Sequence, residues 1–458
     1  MKLSGLAVVV ISQRSIVFER GYGDAAPGGP AVTPSTPFVL GSTSKQFTGL
    51  AVQQLIAQGR LSLDDKVGEL LSSLGGKTSR LVDVTVHQLL SHTSGISTNA
   101  GTVDVFDPVP AFTSLRRETI HLLTSAQMAT HGHKFEYSNG NYTLLGAIIE
   151  AVTGQSFEDA LQTLVAQPLG LRTTTSDLAL ARTHGLAVGH YTWFGAIDST
   201  TAGPRWPMGA PSAYTTSSAA DLAQLLQDDL GQKAGINQAV LTAAQAPLSR
   251  VDTYSRYASG WYVRSFWQVH DYNKNYDDPE LPLIFEHDGE TERETSYLAF
   301  SPDLGFGVVV LSSTGLGTDR GRFGDFTERL LHTIVGTKPL ARTIEPIVVA
   351  APVIMVALPL LQLGSAILLA VSFNGPRRGR ASRWFPRVAA ALVTLVTVIV
   401  TFVVVPGQTQ QPLLDRAWWG GVPDLASSVA VSLLFAAATL TVAIVGSVRM
   451  LRSRSDPS

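Results

Sequence analysis

The residues best suited to chemistry are Ser42 and Lys45, three positions apart at the start of a run patterned as a helix. On a helix, residues with this spacing lie on one face, so the serine hydroxyl and the lysine amine can meet. A serine becomes a good nucleophile when a neighbouring base takes its proton, and burial can lower the pKa of a lysine enough for that task. The pair therefore indicates nucleophilic catalysis. Taken alone, the same pattern also describes a helix-capping serine beside a solvated lysine.

The elements that must position this pair are strands at both ends of the first 340 residues, with mainly helices between them. Runs rich in β-branched residues predict the strands, and apolar residues at helical spacing predict the helices. The predicted strands are 6–11, 15–19, 260–263, 284–289, 297–300 and 306–311. The predicted helices include 114–128, 141–153, 156–167, 218–230 and 326–335.

Two further motifs lie in elements that could reach the Ser42 helix. Tyr137-Ser138-Asn139 stands on the loop before a helix with an apolar stripe, and His287-Asp288-Gly289 stands on a strand. With Ser42-Thr43-Ser44-Lys45, they occur in the order and approximate separation of the active-site motifs of the serine β-lactamase and penicillin-binding-protein superfamily. The chain resembles the class C branch, which includes D-alanyl-D-alanine carboxypeptidases, D-aminopeptidases and esterases.

This resemblance covers roughly residues 6–336. It implies an α+β fold: an antiparallel sheet flanked by helices, plus an all-helical lobe, with the active site between them. Ser42 would attack a carbonyl group and become acylated. Lys45 and Tyr137, whose phenol would have a pKa lowered by the lysine, would share the proton transfers, and Asn139 would hold the substrate amide.

The third motif would line the substrate-binding cleft. His287 stands where many family members have lysine, and Gly289 follows on the same strand edge. The resemblance places the oxyanion hole at the backbone N–H groups of Ser42 and Glu290. Histidine in place of lysine removes a permanent positive charge, so we expect weaker recognition of a free carboxylate unless Arg293 supplies that charge.

Composition and motifs exclude several other classes of protein. The net charge of −2 gives no sign of nucleic-acid binding, and the absence of cysteine excludes thiol catalysis and disulfides. His87 and His92 lack a recognisable third ligand, so we interpret them as structural residues and predict no metal site. No dinucleotide fingerprint is present, and no cofactor is implied.

Three apolar, charge-free runs follow the catalytic region, at 347–373, 388–405 and 426–448. Each is long enough to cross about 30 Å of hydrocarbon as a helix. They predict a membrane domain over 347–458, joined through a linker at 341–346 to a catalytic domain over 1–340. Arginines are clustered between the first two runs and after the third. The positive-inside rule therefore predicts a multi-pass cell-membrane protein with a short cytoplasmic tail and an extracytoplasmic catalytic domain.

An extracytoplasmic domain needs a leader, yet the first predicted strand begins almost at Met1, so we expect the natural start to lie upstream. The combined features predict a bacterial, membrane-anchored serine hydrolase acting on D-amino-acid peptides of the cell wall or on β-lactams. Its partners would be a small-molecule or peptide substrate and the membrane. Two alternatives remain open: an esterase or amidase for other small acyl compounds, and a non-catalytic sensor of wall fragments or β-lactams.

Overall fold

The computed structural model describes residues 4–13, 15–101, 114–128, 134–193, 197–199, 209–233, 235–266, 282–315, 320–337, 346–374, 380–399 and 423–455. The strands are β1 Gly5–Ser12, β2 Ser15–Gly23, β3 Pro37–Val39, β4 His190–Trp193, β5 Ile197–Ser199, β6 Thr216–Ser218, β7 Ser249–Arg250, β8 Ser255–Tyr257, β9 Tyr262–Ser265, β10 Leu283–Glu290, β11 Thr295–Ser301, β12 Phe306–Ser312 and β13 Thr314–Gly315. The helices are α1 Ser44–Ala57, α2 Val67–Leu70, α3 Val86–Leu90, α4 Leu115–Ser125, α5 Asn139–Thr153, α6 Phe157–Leu161, α7 Gln167–Leu169, α8 Leu178–Thr183, α9 Ala219–Asp229, α10 Gln238–Gln245, α11 Arg320–Val335, α12 Pro346–Asn374, α13 Arg380–Ile399 and α14 Pro423–Ser455.

The main sheet joins the two ends of the catalytic region, as predicted. Its order is β2-β1-β12-β11-β10-β9-β8-β7, and neighbouring strands run antiparallel. The N-terminal strand β1 therefore pairs with the C-terminal strand β12, with Val9 opposite Val309. This order places β10, which carries the His287 motif, inside the sheet.

Apolar residues occur at nearly every position of β1 and β12 because both faces of the sheet are covered. On one face Ala7, Val9 and Ile11 join the large core that includes α1, α5 and α9. On the other face Val8 and Val10 pack with α11 residues such as Leu331. Successive side chains of a strand point to opposite faces, so this alternation follows directly from the backbone.

Helix α1 is central to the large core. Eleven of its fourteen residues are buried, among them Phe47, Val52 and Leu55. Helix α5 is similarly enclosed over most of its length, and Gly154 ends it in a left-handed conformation. The nucleophile motif and the Tyr137 motif thus stand at the N-terminal ends of two buried helices, where the backbone is held firmly.

The structure adds detail that the sequence pattern did not predict. The predicted helix at 156–167 is α6, followed by a π-helical turn at Gln162–Ala166 and then α7. Two small sheets supplement the main one: β3 pairs with β6, and β13 pairs in parallel with β4. Segment 173–216, which has no clear periodicity, contributes α8, β4 and β5 to this part of the fold.

The chain forms two units, one of Met1–Thr192 with Asp198–Arg342 and one of Trp193–Ile197 with Thr343–Ser458. Within the described residues, two helices, rather than the three predicted, contain apolar stretches of membrane-spanning length: Val353–Phe373 in α12 and Ser427–Gly446 in α14. The predicted run at 388–405 lies only partly within the described residues, because α13 ends at Ile399, the last described residue of that segment. The Ser428 hydroxyl of α14 donates to the Met355 carbonyl of α12 at 2.6 Å, which links the two helices.

Candidate active site

Ser42 lies in a single 3₁₀ turn, Gly41–Thr43, that leads directly into α1. Gly41 has a φ of +59°, a left-handed conformation that favours glycine. The turn is anchored from the side by Thr43, whose hydroxyl donates to the Leu40 carbonyl at 2.8 Å. The Ser42 hydroxyl is thereby fixed at the N-terminal end of a helix, where developing negative charge is stabilised.

Lys45 is completely buried, and its amine lies 3.2 Å from the Ser42 hydroxyl. The amine also donates to Asn139 Oδ1 at 2.8 Å and to the Ser212 carbonyl at 2.7 Å. Burial lowers the pKa of Lys45 well below its usual range, and the Asp288 carboxylate only partly opposes this shift. The lowered pKa favours the neutral form of the amine, which is the form that can act as a base.

The hydrogen bonds of Lys45 indicate how the neutral amine is oriented. A carbonyl oxygen can only accept, so the Asn139 and Ser212 oxygens take the two protons of a neutral amine. The lone pair of the neutral amine is then left for the third neighbour, the Ser42 hydroxyl, whose oxygen lies 3.2 Å from the amine nitrogen. The arrangement suits removal of the Ser42 proton as the hydroxyl attacks a carbonyl group.

Tyr137 lies over the lysine, with the Lys45 amine 4.9 Å from the centroid of its ring. Burial raises the pKa of the Tyr137 phenol well above its usual range, although proximity to the Ser42 hydroxyl lowers it in part. The predicted lowering of this pKa by lysine was therefore wrong. The physical reason is that burial, the largest cause of the shift, penalises the charged tyrosinate.

The Tyr137 hydroxyl is buried and makes no hydrogen bond of acceptable geometry within the described part of the chain, despite lying close to Ser42. A neutral phenol in this position keeps its proton and can give it to a leaving group. Its ring packs against His92, with centroids 4.4 Å apart and the ring planes tilted by 33°. His92 in turn accepts hydrogen bonds at Nδ1 from the Ser138 N–H at 3.2 Å and from the Asn141 amide at 2.9 Å, which fixes the loop before α5.

His287 is 2% exposed and both of its ring nitrogens have partners. Nδ1 lies 2.6 Å from the Asp288 carbonyl, and Nε2 lies 3.2 Å from the Tyr257 hydroxyl. Because a carbonyl can only accept, Nδ1 carries the proton and Nε2 accepts from Tyr257. Burial lowers the pKa of His287 to about 4, so the ring is neutral at neutral pH.

Gly289 brings the end of β10 against the nucleophile turn, the 3₁₀ turn Gly41–Thr43 that carries Ser42. A Cβ atom at Gly289 would lie 2.0 Å from the Leu40 carbonyl oxygen and 3.0 Å from the Ser42 backbone nitrogen. A Cβ atom at Gly41 would in turn lie 2.4 Å from the Glu290 backbone nitrogen. The backbone nitrogens of Ser42 and Glu290, which the sequence analysis assigned to an oxyanion hole, therefore lie on two segments in direct contact.

Arg293, the predicted substitute for the missing positive charge, lies in the turn between β10 and β11. Its backbone N–H donates to the Thr291 hydroxyl at 3.2 Å, and its charge lowers the pKa of Glu292. Burial, the larger influence, raises the pKa of Glu292 to about 7. Outside this turn, the Arg293 carbonyl accepts a hydrogen bond from the His190 N–H at 3.2 Å.

Sequence reasoning missed two groups that position the site. The Ser212 carbonyl holds Lys45, but a main-chain acceptor far along the chain leaves no signal in residue types. Tyr257 orients His287, and its place in a tyrosine-rich segment before Gly260 is the only hint of that role. Among the described residues, no group of acidic, histidine or cysteine side chains could hold a metal ion.

The site thus combines an antiparallel sheet with a helix that follows a half-buried Ser42 and carries a buried Lys45, a neighbouring tyrosine and a glycine-containing strand beside the serine, which is the architecture of a serine acyl-transfer site. The family model described as beta-lactamase matches residues 1–332. The chain therefore belongs to the beta-lactamase family, within the superfamily of serine hydrolases that includes the penicillin-binding proteins. The predicted family and α+β fold are confirmed.

Individual relatives agree with this assignment. Penicillin-binding protein 4 of Amycolatopsis lactamdurans is 30% identical over 322 residues, covering 68% of this chain and 80% of that protein. Protein flp of Staphylococcus aureus is 26% identical over 316 residues, covering 68% of this chain, and the match spans 60% of flp. A class C beta-lactamase structure from Rhodobacter sphaeroides is 25% identical with a TM-score of 0.59, covering 72% of this chain and 95% of that one. A penicillin-binding protein homologue from Pyrococcus abyssi shares the fold, with 23% identity and a TM-score of 0.60 over 74% of this chain and 75% of that one.

Proposed function

We propose that this protein is a membrane-anchored serine hydrolase that works through an acyl-enzyme on Ser42. The observation that carries the proposal is the completely buried Lys45 amine, 3.2 Å from the Ser42 hydroxyl and with a lowered pKa. In the proposed reaction, Lys45 takes the proton from Ser42 as its oxygen bonds to the substrate carbonyl carbon. The bond to the leaving group then breaks, and the Tyr137 phenol gives that group a proton and is reprotonated by Lys45.

The oxyanion formed on the way would be held by the backbone N–H groups of Ser42 and Glu290. Each such donor typically contributes about 3 kcal/mol to the transition state. Asn139, which accepts from Lys45 through Oδ1, would turn its amide nitrogen to the substrate amide. Water would then hydrolyse the ester at Ser42 and restore the free hydroxyl.

The favoured substrates are D-amino-acid peptides of the cell wall and β-lactams, because of the family and the proposed location. An esterase or amidase acting on other small acyl compounds is the second candidate. The neutral state of His287 favours it, since a neutral ring does not attract a substrate carboxylate. Both candidates use the same Ser42 chemistry.

The proposed location is the cell membrane, with several passes and an extracytoplasmic catalytic domain. The two apolar helical stretches support anchoring, and exposed side chains such as Val353 and Leu434 suit a lipid environment. The arginines at 377–387 and 449–454 support a cytoplasmic position for those segments. A cysteine-free chain makes this testable, because single cysteines introduced in each loop can be labelled from one side of the membrane.

Turnover tests the catalytic proposal. Full-length protein in detergent micelles is incubated with benzylpenicillin, with an N-acyl-D-alanyl-D-alanine peptide and with a neutral thioester, beside the Ser42→Ala variant. Repeated product release that requires Ser42 is expected for at least one substrate. A stable Ser42 adduct without turnover would instead indicate the non-catalytic sensor, and neither adduct nor turnover in folded protein would overturn the proposal.

A further inference from the structure

Two segments far apart in the sequence contact the nucleophile turn, and each holds a group of the proposed catalytic machinery. The first is the buried π-helical turn Ala210–Tyr214, which we call the Ser212 turn. The Ser212 carbonyl accepts a hydrogen bond from the Lys45 amine at 2.7 Å. Immediately after this turn, the Thr215 carbonyl accepts from the Leu40 N–H at 3.0 Å. The Ser212 turn therefore orients the lysine and is bonded to the chain next to the nucleophile.

The second segment is the turn 291–294, which connects β10 to β11 and follows Glu290, whose backbone nitrogen is the proposed second oxyanion donor. Within this turn, the Thr291 N–H donates to the Glu294 carbonyl at 2.9 Å, and the Glu294 N–H donates to the Thr291 hydroxyl at 3.0 Å. The Glu290 nitrogen lies against Gly41, where an added Cβ atom would be 2.4 Å from it. Because the turn is tightly bonded and directly follows Glu290, a displacement of the turn would move the oxyanion donor.

A hydrogen bond between Tyr214 and Glu292 joins the two segments. The Tyr214 hydroxyl lies 3.1 Å from Oε1 and 3.4 Å from Oε2 of Glu292, and it donates, since an ionised carboxylate can only accept. Tyr214 is 2% exposed, and its ring is packed so closely on Gly209 that a Cβ atom there would lie 2.7 Å from Cδ2. The contact is therefore made by an aromatic side chain held by its surroundings, unlike an ion pair between flexible surface side chains.

This hydrogen bond completes a triangle of contacts among three segments. Tyr214 lies two residues after Ser212, which holds the lysine, and Glu292 lies two residues after Glu290. The nucleophile turn meets both segments and forms the third corner. A triangle with three fixed sides does not shear, so the base and the oxyanion donor keep their separation. Catalytic groups must be held within about 0.5 Å of the productive geometry, and a link of this kind supplies that restraint.

We propose that Tyr214 and Glu292 are positioning residues that keep the Lys45 base and the oxyanion donor at Glu290 in the correct geometry around Ser42. The inference rests on the proposed function and adds to it two residues that act through other groups. A displacement of about 1 Å can reduce a catalytic rate about 100-fold. Loss of the Tyr214–Glu292 hydrogen bond should have a smaller effect, about tenfold, because the other contacts of both segments remain.

Substitutions at both ends of the hydrogen bond test this role in the full-length protein in detergent micelles. Two quantities are measured: kcat/KM for a neutral thioester, and the rate at which a neutral fluorophosphonate labels Ser42. Tyr214→Phe and Glu292→Ala should each lower both quantities about tenfold. Glu292→Gln, which keeps an acceptor oxygen for the phenol, should stay within about threefold of the wild type. The double variant Tyr214→Phe/Glu292→Ala should be no slower than either single variant, since the effects of residues that act as a unit do not add.

Tyr297→Phe is the matched control. The Tyr297 hydroxyl also donates to a glutamate, with Glu286 Oε2 at 2.5 Å, but Tyr297 packs with α11 on the face of the sheet opposite α1. This variant loses the same kind of hydrogen bond away from the site. It should keep wild-type rates even if its thermal midpoint falls.

Three results would overturn the inference: a folded Tyr214→Phe variant with both rates within about twofold of the wild type, losses that multiply to about 100-fold in the double variant, or a Tyr297→Phe variant as slow as Tyr214→Phe. If Tyr214→Phe does not fold, the test rests on position 292, where equal rates for Glu292→Ala and Glu292→Gln would also overturn it. Failure of the proposed function has a different signature, because the wild type then neither cleaves the thioester nor becomes labelled at Ser42.

Discussion

Substitution of Gly289 by alanine tests whether β10 must touch the nucleophile turn. The added Cβ atom would lie 2.0 Å from the Leu40 carbonyl oxygen and 2.3 Å from the Ser296 hydroxyl. Even a tight contact of 3.0 Å requires the backbones to separate by at least 1.0 Å, since 3.0 minus 2.0 is 1.0. Leu40 cannot move away freely, because its carbonyl also accepts hydrogen bonds from Thr43 at 2.8 Å and Ser296 at 2.5 Å.

A shift of about 1 Å at a catalytic group can reduce the rate about 100-fold, and loss of one oxyanion donor about 100-fold to 1,000-fold. We therefore expect Gly289→Ala to lower kcat/KM for a neutral thioester about 100-fold to 1,000-fold, mainly through kcat. The rate of fluorophosphonate labelling should fall in parallel, because phosphonylation of Ser42 uses the same oxyanion site.

Gly307→Ala on β12 is the matched control. There the two closest atoms to the added Cβ would be flexible side-chain ends, Ile11 Cδ1 at 3.2 Å and Leu226 Cδ1 at 3.3 Å. This variant should retain wild-type kinetics even if its thermal midpoint falls. A folded Gly289→Ala protein, verified by circular dichroism, whose kcat/KM stays within about threefold of wild type would refute the role assigned to this contact.

Two further predictions concern buried ionisable groups. Lys45→Met should reduce the rate of acylation at least about 100-fold, because it removes the base. The wild-type kcat/KM should rise with pH through the lowered pKa of Lys45 and reach a plateau below the pH at which an ordinary lysine loses its proton. A Lys45→Met variant with an unchanged rate would contradict this role. Burial raises the pKa of Asp229 from 3.8 to about 7, and the hydrogen bond from Gln245 only partly opposes this shift. Between pH 3.8 and about 7 the folded state keeps a proton on Asp229 that the unfolded state has lost, so the free energy of unfolding falls as pH rises through this window. The total loss is about 4 kcal/mol above pH 7, since each pKa unit corresponds to about 1.36 kcal/mol. Asp229→Asn should therefore raise the thermal midpoint at pH 8 and have little effect below pH 4, whereas equal shifts at both pH values would count against the burial explanation.

The parts of the site that sequence could predict are those defined by local geometry. The spacing of Ser42 and Lys45 on one helix is sufficient to predict their contact, since it depends only on the turn of an α-helix. Tyr137, Asn139 and His287 could be assigned through motif order. The paired strands β1 and β12 could be predicted because they are nearly continuous apolar runs, as expected when both faces of the sheet are covered.

The remaining features depend on packing between distant segments. The Ser212 carbonyl reaches Lys45 through a turn that shows no pattern in the sequence. The direction of the Tyr137 pKa shift was predicted wrongly, because it is set by how completely the phenol and lysine are buried rather than by their proximity. The state of His287 likewise depends on Tyr257, which is 30 positions away in the chain.

The most direct test of the central claim is the intact mass of the full-length protein after exposure to a fluorophosphonate. Ser44→Ala provides the control, because Ser44 is buried beside the site and its hydroxyl accepts a hydrogen bond from the Thr215 N–H at 3.2 Å. The account predicts one phosphonyl adduct on the wild type and on Ser44→Ala, and none on Ser42→Ala. An adduct that persists in Ser42→Ala, or an unlabelled wild type that is demonstrably folded, would contradict the assignment of Ser42 as the nucleophile.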